Sequence, residues 1–202
     1  MRSLILSLLV LSCLHGYAQV TDSLKAEVEA FQADQNHHYF DKETSPLKKK
    51  ERRKFKGHEF YPIDLKWRVV AKYEVITDPD TITMPTSAGT EKIFAKQAKL
   101  IFKIGGEECV LYAYKNLKLI KIDGYENSLF VPFKDETTGT ETYGGGRYLD
   151  LEQPKADELV LNFNLAYNPY CAYTTGWFCP IPPEENTLKV AIKAGLKKPL
   201  EH

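Results

Sequence analysis

The chain has 202 residues, 43% hydrophobic and 12% aromatic, which suffices for one packed core and is short for two. Lys plus Arg and Asp plus Glu each total 27, so the formal net charge is zero. No long-range attraction to nucleic acid or anionic lipid follows from that balance, and no nucleic-acid partner is expected.

The N-terminus reads as a secretory signal peptide over residues 1–18. Met1-Arg2-Ser3 is a short positive region, Leu4 to Leu14 is an apolar run, and Gly16-Tyr17-Ala18 matches a small-x-Ala cleavage site. Cleavage after Ala18 would leave Gln19 as the new N-terminus; the alternative is lipoprotein anchoring at Cys13. No later run approaches the roughly 20 apolar residues of a transmembrane helix. The expectation is an exported protein, periplasmic or secreted, without a transmembrane segment. Residues 19–202 then form a single β-rich domain led by a helical segment over about 22–56. Three cysteines remain beyond the leader. In an oxidising compartment Cys171 and Cys179, close in sequence, are the natural disulfide pair, which leaves Cys109 as a buried free thiol in an apolar strand.

Thr21 and Asp22 read as an N-cap, and Leu24, Val28 and Phe31 follow at helical spacing, so an amphipathic helix is expected from about Asp22 to Gln35. Ser45-Pro46 then resembles an N-cap and a first helical position, opening a short basic helix through LKKKERRKF whose charges form a solvated face or, alternatively, an anion-binding patch. From Trp67 to Ile76 the pattern alternates, with Trp67, Val69, Ala71, Tyr73 and Val75 on one face of a half-buried strand. Thr81 to Met84 is a short return strand. Gln97 to Ile104 and Cys109 to Tyr114 form a hairpin about Gly105-Gly106. Further strands are predicted at Leu129 to Phe133, Arg147 to Leu151, Leu159 to Asn164 and Leu188 to Ala194. About seven or eight short strands without alternating helices make a mainly β fold, an antiparallel β-barrel or sandwich with one or two N-terminal helices over an opening or an edge.

Three runs occur in fixed order: GTETYGGGRYLDL from Gly139, FNLAYNPYCAY from Phe163 and CPIPPEEN from Cys179. With Phe55-Lys56-Gly57, Tyr61-Pro62-Ile63-Asp64 and Lys193-Ala194-Gly195, they resemble the bacterial and archaeal family catalogued as domain of unknown function 1684, over nearly all of the chain beyond the leader. The resemblance carries no activity with it. Gly145 departs from the family pattern, where Ala is expected, and so does Leu196, where an acid is usual.

Any site should be assembled from residues 139–150 and 164–186. Gly144-Gly145-Gly146 permits close approach to backbone N–H groups, yet no Lys-Ser/Thr follows and the spacing G-x-G-x-x-G is absent, so it is not a phosphate loop. It reads either as a tight corner of the sheet or as a ligand cradle. In a strand, Arg147 and Leu149 share one face, Tyr148 and Asp150 the other. An inward Arg147 needs a carboxylate, with Glu141 and Asp150 as candidates, or holds an anionic ligand through its planar fork. Asn164, Tyr167 and Asn168 complete the ligand-binding candidates with Glu141, Tyr143, Arg147 and Asp150. The segment from Asn164 to Leu188 is long and bounded by prolines, a rigid flap over one end of the barrel tied by Cys171 and Cys179. A zinc site would need two further ligands, with only His58 and Asp150 conceivable, so no metal or other cofactor is expected.

Three functions remain open at this level. The leading one is capture of a small polar or anionic molecule under the flap. The others are a hydrolase using Glu141 or Asp150 with Tyr143 and His58, and a structural or protein-interaction domain of the cell envelope.

Overall fold

A computed structural model describes residues 2–199, with side chains from residue 19 onward. Met1 and residues 200–202, with the terminal His202, lie outside the described residues, and the side chains of the leader expected over residues 1–18, with its alternative at Cys13, are likewise not described. Helix α1 (Arg2–Phe40) is followed by the short α2 (Lys49–Lys54). Strands β1 (Arg68–Val75), β2 (Thr81–Pro85), β3 (Glu91–Ile104), β4 (Glu107–Asn116), β5 (Ser128–Phe133), β6 (Arg147–Glu152) and β7 (Glu158–Asn162) complete the elements. They form one antiparallel sheet in the order β6-β5-β4-β3-β1-β7, with β2 paired to β3, curled into a half-barrel.

Sequence and structure differ at four elements. Thr21 and Asp22 lie inside α1 and do not cap it, because the helix runs from Arg2 to Phe40. The expected stripe is present: Val28 and Tyr39 are buried, and Leu24, Phe31 and Gln35 are half-buried. The second helix starts later than Ser45-Pro46 implies. Lys48 precedes it, and the Glu51 carboxylate accepts the Lys48 N–H at 2.8 Å. Ser45 instead serves the end of α1, its hydroxyl donating to the Tyr39 carbonyl at 2.7 Å. The return strand β2 pairs with β3 and not with β1. Finally, Leu188–Ala194 is no strand. It is an irregular segment with Leu188, Ile192 and Ala194 buried in the core.

The main core lies on one face of the sheet, where Trp67, Tyr73, Leu100, Leu111, Phe133 and Phe163 pack together. On β1 the alternation holds through Ala71 and Tyr73 and lapses at the strand end, where Val75 is 51% exposed. On β3 it is interrupted. The register shifts between Lys96 and Ala98, so that Ala98 and Leu100 oppose Ala113 and Leu111 on the core face. Lys96 opposes Tyr114, whose side chain packs with Met84 and Phe94 in a separate cluster. One extra residue at Gln97 thus sends Phe94 to the face opposite Leu100, although both are even-numbered.

Arg147, at the start of β6, holds the C-terminal segment in place. It is 1% exposed, and its Nη2 donates to Asp135 Oδ2 at 2.7 Å and to the Ile192 carbonyl at 2.8 Å. Nη1 donates to the carbonyls of Ala194 and, at 3.3 Å, of Leu196. The Thr137 N–H and hydroxyl both donate to Asp135 Oδ1, at 2.7 and 2.5 Å. Burial pulls the Arg147 guanidinium below its usual range, while the Asp135 charge opposes that shift. The partner is therefore Asp135, not Glu141 or Asp150. The chain reaches Arg147 through a turn in which the Gly146 N–H donates to the Tyr143 carbonyl at 3.0 Å. Gly146 has φ +86°, and a Cβ there would sit 2.7 Å from the Phe133 carbonyl and 2.6 Å from Pro182. The glycine run is a close-packed corner, not an open cradle.

The helices dock through aromatic side chains. Tyr39, Leu47 and Phe55 form a cluster with Tyr170 and Tyr173, and the His58 imidazole lies among Tyr39, Phe55, Phe60 and Tyr173. Both His58 ring nitrogens are buried without a well-formed hydrogen bond, and burial pulls the imidazole pKa down to about 4 against a smaller opposing effect of the Gln35 main chain.

Removing one partner from the Arg147 pair leaves an uncompensated buried charge. Asp135→Ala is expected to lower unfolding free energy by about 3–5 kcal/mol in urea titrations, and the isosteric Asp135→Asn by less. For His58 the folded-state pKa lies below the unfolded one. Its contribution is therefore complete above pH 6.5 and is lost as pH falls from there through about 4, a loss of up to about 3 kcal/mol. Unfolding free energy measured from neutral to acid pH should accordingly fall less steeply with pH in His58→Phe than in the parent.

Candidate functional site

A cleft of about 650 Å³ opens on the face of the sheet away from the main core. The outward residues of three strands line one wall: Phe94 from β3, Phe130 from β5, and Tyr148 and Asp150 from β6. The rings of Phe94 and Phe130 stack at 5.5 Å between centroids, and Tyr148 meets Phe130 edge-on at 4.7 Å. Tyr167, Pro169, Tyr170, Trp177, Phe178 and Pro180 of the segment after β7 form the other wall.

That segment is held on several sides. Tyr167 exchanges two backbone hydrogen bonds with Tyr148, at 2.9 and 3.0 Å, and so extends the sheet beyond β6. Further on, the Ile181 N–H donates to the Pro85 carbonyl at 2.8 Å, and the Ser87 N–H to the Cys179 carbonyl at 3.0 Å. The Tyr148 hydroxyl donates to the Pro180 carbonyl. A Cys171–Cys179 disulfide, with Cα atoms 6.2 Å apart, closes the loop between these anchors. Trp177 packs on Tyr170 at 4.6 Å, and its indole N–H donates to the Pro46 carbonyl at 3.3 Å. Trp177 and Phe178 nevertheless remain 41% and 50% exposed, presenting aromatic surface at the mouth. Cys109 is a buried free thiol, as its strand position implied.

The polar centre of the cleft is Asp150 with Tyr167, whose hydroxyl donates to Asp150 Oδ2 at 2.6 Å. Asp150 is open to solvent on one side, but the cleft walls around it push its pKa up, and the Tyr167 bond opposes that shift. The Tyr167 phenol is driven well above its usual range by burial and by the Asp150 charge. It therefore stays protonated as a donor while the carboxylate keeps acceptor capacity for a second group.

Of the residues singled out in the sequence, Asp150 and Tyr167 meet in this cleft. The others do not. Arg147 faces the opposite side of β6, where Nη2 bonds Asp135 and the Ile192 carbonyl and Nη1 bonds the carbonyls of Ala194 and Leu196. Glu141 pairs with Lys193 at 2.9 Å and accepts the Tyr61 hydroxyl at 3.1 Å. Asn164 bonds both main-chain groups of Asp64, at 3.2 and 3.0 Å, and so fixes the entry to β1. Asn168 donates to the Tyr173 hydroxyl at 2.9 Å and to the Lys197 carbonyl at 2.7 Å. Tyr143 donates to the Cys171 carbonyl at 3.3 Å and braces the flap. The hydrolase grouping is not assembled: Glu141 pairs with Lys193, Asp150 with Tyr167, and His58 is enclosed by the rings of Tyr39, Phe55, Phe60 and Tyr173.

Sequence reasoning missed Phe94 and Phe130, which line the cleft. The alternation that put Tyr148 and Asp150 on one face of β6 was a usable signal, whereas no local pattern betrays the reversal of β3 at Gln97. Among the described residues, no group of three His, Cys, Asp or Glu side chains is placed to hold a metal ion. No helix among them is long and apolar enough to cross a membrane.

No curated protein matches this chain. A solved relative is the uncharacterized protein of Haloarcula marismortui, whose solution NMR structure superposes with a TM-score of 0.70 at 34% identity. The match covers 91% of this chain and 99% of that one. The family model described as "Protein of unknown function (DUF1684)" matches residues 53–197, which takes in every strand, the Arg147 corner and the whole flap. The chain belongs to that family.

Proposed function

We propose that this protein is an exported binding protein that holds a small polar molecule with a planar apolar body between the flap and the outer face of β3–β6. The observation that carries this reading is the aromatic cleft of about 650 Å³ with the Asp150–Tyr167 pair set into it. Its size falls in the range of small-molecule sites, and its composition is that of such sites, apolar walls with few polar groups. Aromatic faces at Phe130, Tyr170 and Trp177 favour a flat ligand surface, and Asp150 orients it by accepting a hydroxyl or amine proton. Export is supported by the leader-like residues 1–18 and accords with the disulfide that ties the flap.

Trp177 supplies the readout, because the other tryptophan, Trp67, is buried in the core. In titrations with a library of small aromatic and cyclic polar compounds, a ligand is expected to change tryptophan emission in the parent and not in Trp177→Phe. Tyr167→Phe should weaken that ligand about tenfold through loss of the oriented carboxylate. A library that shifts neither emission nor melting temperature would count against the cleft as a binding site. For export, the intact mass of protein recovered outside the cytoplasm should correspond to a chain starting at Gln19 and lighter by two hydrogen atoms than its reduced form. Recovery of the unprocessed chain from the cytoplasm alone would contradict it.

A further inference from the structure

We infer that the cleft is polarised, and that its ligand is an anion whose acidic group sits at the β3–β4 end between Lys92 and Lys118, with its apolar body running toward Asp150. This rests on the cleft being a binding site, as proposed above. Both lysines line the cleft. The β3–β4 ladder ends at Phe94 and Asn116; Lys92 lies two residues before Phe94 on the same strand, and Lys118 lies in the turn just after Asn116, at the same end of the cleft. Lys92 is half-buried beside Phe94, and among the described residues neither ammonium group has an ion-pair or hydrogen-bond partner. Burial and the neighbouring Lys118 charge both pull the Lys92 pKa down. Two neighbouring unpaired cations, Lys92 half-buried beside an apolar wall and Lys118 exposed at the rim, make an unfavourable arrangement that one bound anion relieves.

The acids of the cleft do not neutralise them. Glu91 contributes to the rim but is exposed, and successive side chains of β3 point to opposite faces. Asp150 is engaged with Tyr167 on β6, three strands away from β3, or roughly 14 Å at the usual strand spacing. Positive and negative ends are thus separated by the aromatic wall of Phe94, Phe130 and Tyr148. A carboxylate, sulfonate or phosphate on a planar body fits this layout; a cation of the same shape would meet the lysines.

Two fluorescent probes with the same body separate the charge from the cleft: anilinonaphthalene sulfonate, an anion, and N-phenylnaphthylamine, which is neutral. Each is titrated into the full chain and into Lys92→Gln/Lys118→Gln, with folding of both verified by melting temperature. The parent is expected to bind the anion at least about tenfold more tightly, with the advantage shrinking as salt is raised, and the double variant to bind both probes alike. Lys92→Arg/Lys118→Arg should restore the preference. Equal binding of both probes by the parent, or an anion preference that survives in the glutamine variant, overturns the inference while leaving the cleft reading standing. If neither probe binds, both fall.

Discussion

The buried pair of Arg147 and Asp135 is the constraint from which much of this structure follows. A guanidinium with 1% exposure is tolerated only where charge and hydrogen bonds replace the lost water. Asp135 supplies the charge, and the carbonyls of Ile192, Ala194 and Leu196 supply further acceptors for the two Nη atoms, while Nε is buried without a partner. Those carbonyls have a corresponding need. They belong to a buried segment outside the seven strands, and Arg147 satisfies them from one side chain. The same arrangement explains the glycine corner. Gly146 lies so close to Phe133 and Pro182 that no side chain fits, and that close approach delivers Arg147 to the start of β6.

Once Arg147 is fixed inward, alternation determines the rest of β6: Leu149 joins the core, while Tyr148 and Asp150 face the cleft. The bulge at Gln97 does the equivalent work on β3, turning its first half so that Lys92 and Phe94 look toward the flap. The flap is held by backbone pairing with β6 and with the β2–β3 turn, and is closed on itself by the disulfide. Its exposed aromatic residues are therefore carried on an anchored frame. Such a frame would suit the proposed ligand capture, since little ordering of the flap would remain to be made on binding.

The helical segment meets the body through aromatic contacts around His58, and these contacts also reach the flap through Tyr170 and Tyr173. The inner side of the flap thus packs on α1 while its outer side faces the cleft. Packing of the helices and the shape of the cleft are two aspects of one loop.

Much of the fold was legible from sequence because it rests on local regularities. Period-two alternation located β1 and put Tyr148 and Asp150 on a shared face of β6, Gly105-Gly106 located the hairpin, and the spacing of Cys171 and Cys179 pointed to the disulfide. The motif runs around Gly144–Gly146 and the prolines marked the segment that bears the flap, and they resembled the family to which the chain belongs. Only the tertiary structure decided which carboxylate meets Arg147, since Asp135, Glu141 and Asp150 are all near it in sequence and differ only in where the chain folds back. It alone also converted Leu188–Ala194 from an expected strand into a buried irregular segment, because Arg147 and neighbouring main-chain groups bond the carbonyls and N–H groups that a ladder would otherwise serve. The cleft itself is a product of long-range register. One extra residue at Gln97 reverses a whole half-strand, and the energy that selects it lies in contacts with Met84 and Tyr114 that no local window of sequence contains.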